Sequence, residues 1–220
     1  MRSAGSYGGF YAAMSRHYDQ KYDSEAYRIQ EAKLFAQSRA GHFFRLCHQT
    51  WEGMGGNGKG IIDDVVCVVL DGTKLTSLGS SFTDAVKITA LWIEHEHRSK
   101  GIGREVLAEL TAIADESGCV LIAVSNPFDY PDSFTAKDAL ADTRKSELNS
   151  EMFYVKYGYR KRQARMNNIL KSLGFRNIDI CEDFQNKKRC RVQDTWAYIP
   201  DNYARHLDWG ERGLMERLKD

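Results

Sequence analysis

The stretch Arg98-Ser-Lys-Gly-Ile-Gly103 holds more chemistry for its length than any other. Glycines at 101 and 103 let the backbone come close to a ligand, and a helix starting there turns successive N–H groups outward with the positive end of its dipole. Such a turn is an anion cradle, and a diphosphate fits it; the alternative is a loop capped by surface charges. Three other patterns imitate chemistry more weakly. Gly53-Met-Gly-Gly-Asn-Gly-Lys-Gly60 is spaced like a phosphate-binding loop, but ends in Gly60 where Ser or Thr would hold magnesium, and a strand rather than a helix follows. His95 and His97 would share one face of a strand with no third ligand beside them, so no metal is expected. Lys187-Lys-Arg-Cys-Arg191 reads as a solvated hairpin tip before it reads as a nucleic-acid contact.

Length and composition bound what these residues belong to. A chain of 220 residues and 25.1 kDa is one ordinary domain, hiding roughly 70% of its extended surface on folding, so its core requires neither disulfides nor a structural metal. Hydrophobic residues make up 42% and charged ones 28%, which excludes wholesale disorder. Apolar runs such as Val65 to Leu70 fall far short of the ~20 residues of a membrane span, and no signal-peptide pattern follows Met1. The expectation is a cytoplasmic protein without a membrane partner. Cys47, Cys67, Cys119, Cys181 and Cys190 are odd in number and widely spaced, and read as reduced structural thiols. Net charge is +1, yet between Arg160 and Arg191 ten Lys or Arg face only Asp179, Glu182 and Asp183, so an anion-seeking surface belongs to the last third.

Periodicity supplies the elements that must position the cradle. The first twenty residues read as an extended arm, followed by a helix from Asp23 to about Ala40 on Ile29, Ala32, Phe35 and Ala36, stopped by Gly41. Phe43 to Trp51 is ambiguous, and Gly53 to Gly60 is a loop. Val65 to Leu70 reads as a strand, Asp71-Gly72 as a hairpin turn and Lys74 to Phe82 as a second strand. A third starts at Val86 and ends in Leu91-Trp92-Ile93, apolar on both faces as in the middle of a sheet. Val106, Leu107, Leu110, Ile113 and Ala114 stripe a helix over Gly103 to Ser117 with Gly118 as its cap. Cys119 to Val124 then follows as a buried strand, which a right-handed crossover makes parallel to the third. Asn126 to Tyr157, with Pro127 and Pro131, interrupts as an insertion. Met166, Ile169, Leu170 and Leu173 mark another helix ending at Gly174, and strands over about Arg176 to Glu182 and Val192 to Ile199 close the sheet. The chain thus divides into residues 1–60, an arm and helix of the same domain, a core over 61–200 containing the 126–157 insertion, and a C-terminal helix over 201–220.

Leu91-Trp-Ile-Glu-His-Glu-His-Arg-Ser-Lys-Gly-Ile-Gly-Arg-Glu-Val-Leu107 resembles the signature of the GNAT acyl-CoA N-acyltransferases, a strand followed by Arg/Gln-x-x-Gly-x-Gly/Ala and a helix. Ile169-Leu-Lys-Ser-Leu-Gly-Phe175 resembles that family's Tyr-x-x-Leu-Gly-Phe helix end. The resemblance covers about residues 60 to 200, and the tyrosine-rich arm and the insertion loosely resemble phage-encoded members. It implies an α/β fold of GNAT type, a mixed six- to seven-stranded sheet with a splayed central parallel pair flanked by helices. It also implies acetyl-CoA as co-substrate, its pantetheine arm lying in the V beside Val120 to Val124, where backbone groups of Leu91 and Ile93 pair with its amides. N–H groups of Ser99, Lys100, Gly101, Ile102, Gly103 and Arg104 would hold the pyrophosphate. The side chains of Arg98 and Lys100 would add charge or stay solvated, and Asn126 stands where the family often contacts the cofactor.

The implied reaction moves an acetyl group to a primary amine, of a small molecule or a protein, by direct attack, since no thiol has a nucleophile's surroundings. It needs a base for the amine and an acid for the leaving thiolate. Glu94 is the first candidate base among Glu94, His95, Glu96 and His97. The family's tyrosine falls at Leu170, but Phe153-Tyr-Val-Lys-Tyr-Gly-Tyr159 echoes the motif and offers Tyr154, Tyr157 and Tyr159. The tyrosine missing at 170 keeps open a second reading: a non-catalytic GNAT-fold module that contacts a protein or nucleic acid through the basic region 160–191. A dimer is compatible with either.

Overall fold

Ser38 opens the helix α1 (Arg39–Thr50) by accepting the Gly41 N–H on its Oγ at 3.1 Å, at a bend that separates it from the expected earlier helix, present at residues 32–33 and 35–37. The computed structural model describes residues 32–33, 35–73, 85–143, 153–154, 158–177 and 195–201. Gly41 does not stop a helix, contrary to the sequence reading. It lies in the first turn of α1, where a Cβ would meet the Phe35 carbonyl oxygen at 2.0 Å, an approach only glycine admits. Ala40, Phe43, Phe44 and Cys47 recur at helical spacing and are buried, so the ambiguous aromatic stretch is a core helix.

Three antiparallel strands follow, β1 (Lys59–Ile62), β2 (Val66–Thr73) and β3 (Ala85–Ile93). Asp63 and Asp64 join the first two at φ 49° and 59°, the backbone of a tight type I′ turn. Asp71-Gly72, expected to be the hairpin turn, instead continues β2: Asp71 pairs with Lys87 and Gly72 with Val86. A two-residue type I′ turn would need positive φ at both Asp71 and Gly72, whereas here the neighbouring strand holds them extended, with Thr89 Oγ1 donating to Asp71 Oδ2 at 2.6 Å. The strand expected over Lys74 to Phe82 lies outside the described residues.

From β3 the chain enters α2 (Ile102–Ser117), which Gly118 ends at φ 66°, and returns as β4 (Val120–Val124), parallel to β3. Within the insertion stand β5 (Phe128–Asp129), α3 (Ala136–Thr143) and β6 (Phe153–Tyr154), with β5 and β6 paired. The helix α4 (Tyr159–Ser172) leads to β7 (Arg176–Asn177), and β8 (Thr195–Tyr198) pairs with both β7 and β4. The sheet order β1-β2-β3-β4-β8-β7 is mixed, with one parallel pair at its centre. The expected C-terminal helix lies outside the described residues.

Alternation along β2 assigns the two faces. Val66, Val68 and Leu70 meet Phe43 and Phe44 of α1 and Val106, Leu110 and Ile113 of α2. Cys67 and Val69 point the other way, with Ala90 and Trp92, into a second core of Tyr130, Ala136, Ala139 and Leu140. The insertion therefore roofs the face of the meander that α1 and α2 leave open. Cys47, Cys67 and Cys119 are buried, and burial pushes the Cys47 thiol up to about 12. No helix among the described residues is long and apolar enough to cross a membrane.

Candidate functional site

One residue too many in β3 opens the middle of the sheet. Val69 pairs with Ala90 and Leu70 with Ile88, which leaves Thr89 out of the ladder as a bulge; bulges bend a strand and increase its twist. Pairing with β4 stops at the same place: Ile88 to Ala123 is the last parallel pair, while β3 runs on to Ile93. Beyond the bulge the Glu94 N–H donates to Val65 O at 3.1 Å. Alternation along an antiparallel ladder then turns the N–H and C=O groups of Leu91 and Ile93 away from β2, toward the side where β4 offers no partner. One of these groups is already engaged, for Ile93 O accepts from Arg98 Nε at 2.8 Å.

At the end of β3 a single 3-10 turn, His95–His97, runs into the reversal that starts α2. Ser99 at φ 63° and Gly101 at φ 92° are both left-handed. Among the described residues no acceptor meets the N–H groups of Ser99, Lys100, Gly101, Ile102 or Gly103, a row of five at a helix start. Arg104, grouped with them in the sequence reading, differs: its N–H closes on Gly101 O at 2.8 Å. Gly103 brings α2 against the strand, since a Cβ there would meet Ile93 Cδ1 at 3.0 Å. The side chains of Ser99 and Lys100 are exposed.

The Arg98 side chain does not face this row. Its Nη1 donates to Asp129 Oδ2 at 2.9 Å and its Nη2 to Asp129 Oδ1 at 2.7 Å, and the guanidinium lies 5.5 Å from the centre of the Trp92 ring. Asp129, almost fully buried, also accepts from Trp92 Nε1 and its neighbour Tyr130 N–H, both at 3.0 Å, and from Arg162 Nη1 at 3.1 Å. Burial alone would raise this carboxyl; the Arg98 and Trp92 hydrogen bonds, the Arg98 charge and the Tyr130 N–H outweigh it and hold it well below the usual carboxylate range. Sequence reasoning passed over Asp129, one aspartate among several in the insertion with no spacing that marks it.

The candidate proton carriers are distributed around the same end of the sheet. Glu94 Oε1 accepts the Ala136 N–H at 2.6 Å, anchoring the start of α3 and leaving Oε2 for other work. His95 Nε2 lies 3.0 Å from Asp132 Oδ1 and 3.4 Å from Asp129 Oδ1. At the far side of the opening Asn126 stands two residues past the end of β4, and Tyr159, the first residue of α4, donates its hydroxyl to Asn126 Oδ1 at 3.0 Å. Gln163, one turn on, donates to Ser125 O at 3.0 Å. Leu170, where the resemblance expects a tyrosine, is packed into the core. The backbone of Tyr154 belongs to β6, while its side chain and the whole of Tyr157 lie outside the described residues.

The weaker patterns resolve locally. Within Gly53 to Gly60 the Gly55 N–H bonds Lys59 O at 3.0 Å and the Gly58 N–H bonds Gly55 O at 2.9 Å, and Lys59 starts a strand rather than a helix. His95 and His97 stand in the 3-10 turn rather than on a strand, and among the described residues no group of three or more His, Cys, Asp or Glu could hold a metal. Arg160, Lys161 and Arg165 are exposed on α4, whose first turn has no acidic residue. Most of the basic stretch beyond α4 lies outside the described residues.

A family model described as Acetyltransferase (GNAT) family matches residues 16–131, more than half of the chain. No curated protein and no solved structure matches it.

Proposed function

Because the chain belongs to the GNAT acetyltransferase family, we propose that it transfers an acetyl group from acetyl-CoA to a primary amine by direct attack. One observation carries the reading: an open strand edge at Leu91 and Ile93 runs straight into five N–H groups without acceptors among the described residues. The free groups of Leu91 and the Ile93 N–H would pair with the amides of the pantetheine arm, as an added strand would. The amides from Ser99 to Gly103 would take the pyrophosphate, with the exposed Lys100 adding charge.

In the reaction the amine nitrogen bonds to the thioester carbonyl carbon and the carbon–sulfur bond breaks. The amine gives its proton to a base, and the departing sulfur receives one from an acid. Tyr159 is the acid of this reading, because its hydroxyl is held at Asn126 on the β4 side of the opening. Glu94 is the base, acting through Oε2 and a water, since Oε1 is committed to Ala136.

Coenzyme A should raise the melting temperature where ATP does not, and thioester cleavage should depend on an added amine. Tyr159→Phe should lower kcat about 100-fold or more while leaving the coenzyme A Kd unchanged. An unchanged kcat would move the acid to Tyr154 or Tyr157; no stabilisation by coenzyme A would remove the transferase reading. The non-catalytic module draws on the buried Leu170 and the exposed cations of α4, and predicts no turnover on any amine and salt-sensitive contact with a polyanion.

A further inference from the structure

Nothing inside the turn from Ser99 to Gly103 holds it in shape. Its five amides have no acceptor among the described residues, and Ser99 stands at φ 63° without being glycine, a conformation that needs support from outside. On one side that support is α2. On the other it is Arg98, whose three donor nitrogens are all placed, one on Ile93 O at the end of β3 and two on Asp129.

Asp129 in turn gathers more than the loop. Oδ1 accepts from Arg98, Trp92 and the Tyr130 N–H, and Oδ2 from Arg98 and Arg162. Arg162 lies one turn after Tyr159 on α4. One buried carboxylate thus ties together the end of β3, the insertion and the helix that carries Tyr159. A carboxylate suits that place because it accepts on both oxygens and donates on neither; an asparagine of the same shape would turn an NH₂ group toward a guanidinium.

We propose that Asp129 is a positioning residue for the anion cradle, acting through Arg98 to hold the Ser99–Gly103 amides in binding geometry before the cofactor arrives. The inference rests on the proposed use of that cradle for the coenzyme A pyrophosphate. It departs from the sequence expectation, in which the Arg98 side chain added charge to the cradle or stayed solvated: here Arg98 is a strut and the backbone is the ligand-binding surface. Preorganised donors bind more tightly because the ordering cost is met during folding.

The test measures Kd for coenzyme A and for pantetheine, which lacks the diphosphate, in the full chain and in Asp129→Asn, Arg98→Ala and the double variant. Asp129→Asn should weaken coenzyme A about tenfold or more and leave pantetheine unchanged, and the double variant should be no weaker than Arg98→Ala alone. Equal losses for both ligands would assign Asp129 to general stability and overturn the proposal. So would a coenzyme A Kd within twofold of the parent, or losses that add in the double variant. If Asp129→Asn does not fold, Arg98→Ala and Arg98→Lys carry the test at a partly exposed position. Arg98→Ala should then lose coenzyme A affinity selectively and regain it with millimolar guanidinium, and a selective loss that guanidinium does not relieve overturns the proposal. A parent chain that binds no coenzyme A overturns the functional reading as well, whereas parent binding with unaltered variants overturns this inference alone.

Discussion

Ser99 and Gly101 show how much depends on single backbone angles. A Cβ on Gly101 would meet only Glu105 Oε1, at an ordinary 3.5 Å, so there is room for a side chain, but φ 92° is not a conformation an L residue adopts cheaply. Gly101→Ala should therefore cost about 1 to 2 kcal/mol in urea denaturation and weaken coenzyme A binding without disturbing the core. Asp129 makes a prediction in pH. Its carboxyl is held below an ordinary aspartate's 3.8, so its charge stabilises the fold throughout the neutral range, and that contribution drains away as pH falls below about 4 toward the depressed folded value. Denaturation at pH 7, 4 and 3 should show this acid loss in the parent; Asp129→Asn should be less stable at pH 7 and lose less on acidification. The glycines of the cradle were legible because they encode a local conformation. Asp129 was not, because its importance comes from five donors contributed by Trp92, Arg98, Tyr130 and Arg162, residues that meet only after folding.

At the scale of elements, local signals succeeded where neighbours agreed with them. The α2 stripe and its Gly118 cap are read correctly from spacing alone, because the helix buries one face and ends on a glycine at positive φ. Asp71-Gly72 failed for the converse reason: a strong turn pair was overruled by eight residues of ladder with β3, while the less conspicuous Asp63-Asp64 makes the turn between β1 and β2, and the β2–β3 connection lies outside the described residues. Ser38 was also missed, and with it the start of α1. Ser38→Ala should cost about 1 kcal/mol of stability and Ser38→Asp much less, since only the first removes the acceptor for the Gly41 N–H. The bulge at Thr89 has no sequence signature; its effect is to end the β3–β4 pairing and expose the strand edge on which the proposed cofactor site depends.

Across the molecule, the sheet is covered on both sides, by α1 and α2 against Val66, Val68 and Leu70 and by the insertion against Cys67, Val69 and Trp92. Reagents should therefore reach Cys47, Cys67 and Cys119 only on unfolding. Thiol labelling mapped by mass spectrometry should leave all three unmodified in the native protein and modify them in denaturant; labelling of Cys47 under native conditions would contradict a buried thiol pushed up to about 12. The sequence by itself determined what repeats or turns locally: the central apolar strand, the glycine-bearing turn, the amphipathic helix after it, the parallel crossover and the family they belong to. Only the tertiary structure decided that β3 parts from β4 at Ile88, that Arg98 serves Asp129, and that the insertion roofs the second face. Periodicity and turn chemistry act between residues a few positions apart, whereas a bulge, a buried carboxylate and a packed face take their meaning from partners far away in the chain.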